Sequence, residues 1–140
     1  MILLKGNFDL MIESTCNLHC KNCSIIDFQG NKYLGKTMNI DDVIKINKKL
    51  IKLGVVLQRL TLLGGEPTLN KDIVKIINYL SEFKNITFKE LKMITNGLNF
   101  KGDIINLYLD VNKGVAQGAN KAPIQMTVLG ENSPSIFKCR

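Results

Sequence analysis

The sequence predicts an α/β fold built on a mostly parallel sheet, and three observations predict it. Strand-like segments alternate with amphipathic helical segments, which is the pattern of parallel βαβ units. A cysteine cluster and a paired-glycine turn each follow directly on a strand signal. The chain has 140 residues, enough for one domain with a real core. That length falls well short of a complete eight-fold barrel, which takes about 250 residues. One domain, residues 1–140, minimal or truncated, is therefore expected.

The elements follow in order. Residues 8–13 are short, apolar and strand-like, and they run straight into the cysteines. Residues 39–53 carry helical spacing at Ile40, Val43, Ile44, Leu50, Ile51 and Leu53. Asn39 is a suitable N-cap, Asp41 and Asp42 suit the first turn, and Gly54 suits the stop. Residues 59–63 read as a second strand. Asn70 is placed to cap a second helix whose apolar face is Ile73, Ile76, Ile77, Leu80 and Phe83. Residues 91–94 read as a third strand, residues 104–111 contain a fourth, and residues 124–129 a fifth. The connections 97–103 and 112–123 are short and read as lacking full helices, so the back half is expected to be abbreviated.

Composition removes several classes of function. Hydrophobic residues make up 45% and charged residues 22%, which is ordinary globular usage and excludes collagen-like, mucin-like and wholly disordered chains. No apolar run reaches the roughly 18 residues of a membrane span. The opening ten residues are too short an apolar stretch for a signal peptide, so no membrane partner and a cytoplasmic location are expected. The net charge of +7 invites a nucleic-acid reading. Against it, the seventeen lysines are spread along the chain and outnumber two arginines. Only Lys45, Lys48, Lys49 and Lys52 gather, on the wet face of the helix 39–53. With no Trp and few aromatics there is also little on which to stack bases.

The chemistry sits in the cysteines. Cys16, Cys20 and Cys23 fall within eight residues at C-x3-C-x2-C spacing, with Cys139 far away. Three clustered thiols cannot pair off among themselves, and a cytosolic chain is not expected to hold a disulfide framework. A loop this tight can bring three thiolates around one centre, and thiolates suit zinc or iron–sulfur iron. Structural zinc wants four protein ligands, and the fourth would have to be Cys139, His19 or a distant side chain. Three cysteines on a four-iron cluster would instead leave one iron open for a small molecule.

The loop resembles the cluster-binding motif of the radical S-adenosylmethionine (SAM) superfamily. That resemblance implies that Cys16, Cys20 and Cys23 hold a [4Fe–4S] cluster whose fourth iron takes the amino and carboxylate groups of SAM. It further implies an oxidoreductase-type anaerobic chemistry, in which reductive cleavage of SAM yields a 5′-deoxyadenosyl radical that abstracts a substrate hydrogen. An electron donor such as flavodoxin or ferredoxin is implied with it. One departure is visible: Asn22 stands before the third cysteine, where an aromatic residue is common in the family. The implied fold is an abbreviated partial (β/α) barrel.

Further motifs agree with the resemblance. Gly64, Gly65, Glu66 and Pro67 follow the second strand and resemble the family's GGEP loop, which makes them cofactor-binding candidates. Read without the family, two glycines at a strand end permit close backbone approach, and Pro67 stiffens the exit. Thr95, Asn96 and Gly97 follow the third strand and look like the superfamily's TNG sequence, although Asn-Gly is also an ordinary turn. Asp110 ends the expected fourth strand and is a candidate for the ribose or carboxylate of SAM. Gly130, Glu131 and Asn132 follow the expected fifth strand. In parallel α/β folds the site lies at the carboxyl ends of strands, which is where all these motifs would gather. Met38, Met93 and Met126 read as core or pocket lining, and nothing in the sequence fixes the distance between Glu13 and Glu66.

Substrate readings differ. An open, abbreviated barrel suits a large substrate, and the chain resembles in size and order the short activating enzymes of glycyl radical proteins. The anaerobic ribonucleotide reductase activase is one of these, and a protein or peptide substrate is the favoured expectation. The alternative is a small-molecule enzyme of modified-nucleoside or cofactor synthesis, in the manner of the compact deazaguanine-forming enzymes. A non-catalytic zinc- or cluster-stabilised binding domain is the third.

Overall fold

A computed structural model describes residues 2–17, 37–99, 101–118, 121–122 and 124–128. Strand β1 (Ile2–Glu13) is followed, after the segment that carries Cys16, Cys20 and Cys23, by helix α1 (Ile40–Leu53) and strand β2 (Val55–Gly64). A 3-10 turn (Pro67–Leu69), helix α2 (Ile73–Ser81) and strand β3 (Phe88–Thr95) follow, then helix α3 (Asp103–Ala116) and strand β4 (Ile124–Val128). The four strands form one sheet in the order β1-β2-β3-β4, and every neighbouring pair is parallel. The α/β expectation therefore holds, and the architecture is consistent with a partial (β/α) barrel.

Helix α1 forms where its sequence cues place it. The Asn39 side chain accepts from the Asp42 N–H at 2.9 Å, and the Asp42 carboxylate accepts from the Asn39 N–H at 3.1 Å. This reciprocal capping box satisfies two otherwise orphaned donors. Gly54 closes the helix in the left-handed conformation, at φ 65°. On the inner side, Val43 and Asn47 are buried. Asn47 is an amide in an apolar layer, and it is satisfied there. It accepts from the Thr87 hydroxyl at 2.7 Å and donates to the Tyr79 hydroxyl at 3.2 Å.

One face of the sheet carries the core. Leu10, Leu62, Met93 and Met126 stand in register across the four strands, and residues in register share a face. The first three are buried, and helix residues such as Val43, Ile76, Ile77 and Leu107 join them in the core. Met38 and Met126 pack against that core partly buried, so the methionines line the interior as expected. The opposite face is polar across one row, with Asp9, Thr61, Lys92 and Gln125 in register. Beside it Arg59 and Glu90 form a half-exposed ion pair at 2.8 Å.

Several expectations need correction. Residues 104–111 do not contain a strand. They lie in α3, with Ile104, Leu107 and Val111 turned into the core at helical spacing. The connection between β3 and β4 is consequently a full helix, and the strand at residues 124–128 is the fourth rather than the fifth. Asp110 moves with the correction: it lies exposed in the middle of α3 and not at a strand end. Asn70 is also reassigned. The N-cap of α2 is Asp72, while the Asn70 side chain accepts from the Asp72 N–H at 2.8 Å and donates to two carbonyls across the fold. No described helix is long and apolar enough to cross a membrane.

Paired substitutions on α3 separate helix from strand. Leu107 is 7% exposed and Leu109 56% exposed. Leu107→Ala should cost about 2–5 kcal/mol in urea unfolding, while Leu109→Ala should stay within roughly 0.5 kcal/mol. On a strand the two would share a face, so equal losses would contradict the helix.

Candidate active site

The carboxyl ends of β1, β2 and β3 meet at one edge. Strand pairing of β1 with β2 runs to Glu13 opposite Gly64, and the two chains stay paired beyond the strands. The Gly65 N–H donates to the Glu13 carbonyl at 2.8 Å, and the Glu66 N–H donates to the Thr15 carbonyl at 2.8 Å. The approach is so close that only glycine fits. A Cβ on Gly64 would stand 2.3 Å from the Glu13 carbonyl oxygen. One on Gly65 would stand 2.2 Å from that of Thr15 and 3.0 Å from the Cys16 nitrogen. Cys16 is thus laid directly against Gly65.

Glu66 ties this turn to the next strand. It is 1% exposed, and both carboxylate oxygens accept bonds from the chain. Oε1 accepts from the Thr68 hydroxyl at 2.6 Å and from the Thr95 hydroxyl at 2.5 Å, and Oε2 accepts from the Asn96 N–H at 2.7 Å. Full hydrogen bonding is what lets a carboxylate remain in such a place. Pro67 is buried and opens the 3-10 turn, with Glu66 accepting at the turn's N-terminus.

The link continues to the cysteine loop. The Asn96 amide oxygen accepts from the Leu98 N–H at 3.0 Å, which points its NH2 group outward to the Asn17 side-chain oxygen at 2.8 Å. Glu66, Asn96 and Asn17 therefore connect the ends of β2 and β3 to the residue after Cys16. On the far side, a Cβ on Gly97 would meet Val128 at 2.7 Å, which brings the end of β4 to the same edge.

The expected site residues sort accordingly. Cys16, Gly64, Gly65, Glu66, Pro67, Thr95 and Asn96 converge at the carboxyl edge. Asp110 does not join them, because it rides on the solvent side of α3. Cys20, Cys23, His19, Asn22, Cys139 and residues 130–132 lie outside the described residues. Sequence reasoning missed Asn17, Thr37 and Asn70 as site-building residues; a polar side chain beside Cys16 and one at the far end of its loop were the signals available.

Comparison with known proteins decides the family. The family model described as the radical SAM superfamily matches residues 12–118, most of the chain and all of the carboxyl-edge turns just described. The chain belongs to the radical SAM superfamily. This chain is also 36% identical, over 93 residues, to a probable GTP 3′,8-cyclase of Methanococcus maripaludis, covering 66% of the chain and 28% of that relative. It is 35% identical over 95 residues to a probable GTP 3′,8-cyclase of Saccharolobus solfataricus, covering 66% of the chain and 28% of that relative. It is 28% identical over 95 residues to the GTP 3′,8-cyclase of Pasteurella multocida, covering 68% of the chain and 27% of that relative. The chain spans less than a third of the length of these curated relatives.

The radical SAM cofactors are a [4Fe–4S] cluster and SAM, and the residues present fit them. Cys16 is placed at the sheet edge by the packing of Thr15 and Cys16 onto Gly65, which any Cβ there would block, and its thiol is a ligand type that iron–sulfur iron takes. Thiolate donors at this spacing are the ligand chemistry that such a cluster takes.

The glycine contact gives a direct test. Gly65→Ala must push the Thr15 carbonyl away, breaking the bonds that protect the Gly65 and Glu66 amides. Hydrogen exchange at those amides should speed up while the amides of α2 keep their protection, with a global cost of roughly 1–3 kcal/mol. Unchanged protection at Gly65 and Glu66 would contradict the close approach.

Proposed function

We propose that this chain is the cluster- and SAM-binding part of a radical SAM enzyme that acts on a small molecule, a purine nucleotide. The observation that carries the reading is the packing of Thr15 and Cys16 onto Gly65 at the carboxyl edge, beside Thr95 and Asn96. The nucleotide comes from the names of the relatives, which are GTP 3′,8-cyclases. Those names side with the small-molecule alternative and not with the activase-like subtype or a protein substrate.

Each part of the edge then has a task. Cys16, with Cys20 and Cys23, would hold the cluster, which when bound and reduced supplies the electron that cleaves the sulfonium of SAM. A small redox protein such as flavodoxin or ferredoxin would deliver that electron. Gly64 and Gly65 let the start of the cysteine segment pack onto the β2 turn, which holds Cys16 beside the turn where the cofactor's methionyl end would sit. Glu66 is too buried to meet a ligand by its carboxylate, so its part is to fix the backbone of its own turn and of Asn96. On the polar face, Lys92 stands between Thr61 and Gln125 and would give an anionic nucleotide a cation to approach. Asp110 has no place in this arrangement.

The test is anaerobic turnover of the full chain after reconstitution with iron and sulfide, reduced and supplied with SAM. Formation of 5′-deoxyadenosine should be stimulated by GTP and abolished in Cys16→Ala. Stimulation by glycine-loop peptides with none by purine nucleotides would overturn the small-molecule reading in favour of a protein substrate.

A further inference from the structure

We propose that Glu13, with Thr37 as its partner, is a clasp that closes the mouth of the cysteine loop and sets how firmly the loop keeps its cluster. The inference rests on the cluster-binding reading of Cys16, Cys20 and Cys23, and it assigns a positioning role to residues outside that motif.

Glu13 ends β1 and is 5% exposed. An apolar side chain would serve a strand end at less desolvation cost, so a carboxylate here needs a reason. Its Oε1 gathers four donors. The nearest is the Thr37 hydroxyl at 2.7 Å, from the far end of the cysteine loop. The others are the Ser14 N–H at 3.0 Å, the Thr15 N–H at 3.3 Å and the Thr15 hydroxyl at 3.2 Å, all leading towards Cys16. The Ser14 hydroxyl adds a bond to the Thr37 hydroxyl at 2.9 Å. One oxygen therefore joins the entry and the exit of the loop that carries the three cysteines.

The backbone closes the same mouth. The Met38 N–H donates to the Ile12 carbonyl at 3.0 Å. The Asn70 side chain donates to that carbonyl at 2.7 Å and to the Met38 carbonyl at 2.8 Å. Asn70 in turn accepts from the Asp72 N–H, and Asp72 accepts from the Ile40 N–H at 2.9 Å. The loop is thus anchored to the starts of both α1 and α2. A closed base restricts how far the thiolates can separate, which slows release of whatever they hold.

The test uses the full chain, loaded anaerobically with iron and sulfide and then challenged with a ferrous chelator. The readouts are the rate of iron loss from the loaded protein and the unfolding midpoint of the same variants without iron. Glu13→Ala and Thr37→Val should each lose iron about tenfold faster than wild type. The double variant should be no faster than the faster single variant, because either single variant already breaks the Glu13–Thr37 bond that closes the clasp. Glu13→Gln retains an acceptor oxygen and should hold iron close to the wild-type rate. Leu80→Ala is the control: it weakens the core away from the loop and should lower the midpoint without speeding iron loss. Additive Glu13 and Thr37 effects, iron loss from Glu13→Ala at the wild-type rate, or loss as fast from Leu80→Ala would overturn the clasp alone. Wild type that takes up no iron at all would overturn the cluster reading and the clasp with it.

Discussion

The backbone of Gly64 and Gly65 lies against the backbone of Glu13, Thr15 and Cys16 closely enough to exclude a methyl group. Everything at the carboxyl edge follows from that contact. It carries the ladder between β1 and β2 past the last strand residues, through the bonds from Gly65 to Glu13 and from Glu66 to Thr15. A loop that would otherwise start freely at the sheet edge instead starts in a fixed register. Cys16 inherits its position from main-chain geometry, which no side-chain motion can undo. The cost is borne by sequence: two consecutive residues have to be glycine.

Side chains then extend this order outward in two directions. Glu66 couples the β2 turn to Thr95 and Asn96, and Asn96 reaches back to Asn17. Glu13 couples the start of the cysteine loop to its end at Thr37. Both carboxylates are buried at a sheet edge, and both are surrounded by donors from their own chain. Glu13 and Glu66, whose distance the sequence leaves open, act as two separate struts with different partners. Preorganisation of this kind lets a site on loops approach the rigidity of one on strands.

Much of this was legible in the sequence, and the rest was hidden for physical reasons. Helix α1 declared itself through Asn39, Asp42 and Gly54, since caps are local chemistry read over a few residues. The glycine pair, the cysteine spacing and the TNG turn pointed to one edge because parallel topology sends every strand end there. Helix α3 is ambiguous in the sequence because residues 104–111 satisfy both periods. Ile105, Leu107, Leu109 and Val111 alternate like a strand, while Ile104, Leu107, Tyr108 and Val111 form a helical stripe. Packing against the core decides between them, with Ile104, Leu107 and Val111 turned inward. The local context of Asn70 suits a cap. Its actual partners, Ile12 and Met38, are distant in sequence, and such contacts leave no local trace.

The central claim is that the carboxyl edge holds a cluster with one iron open to SAM. It is tested most directly by EPR of the full chain, reconstituted anaerobically with iron and sulfide, reduced, and recorded with and without SAM. A reduced four-iron signal whose shape changes when SAM is added is expected, because the cofactor's amino and carboxylate groups would take the open iron. A signal indifferent to SAM, or tight zinc binding with no iron–sulfur signal, would contradict it.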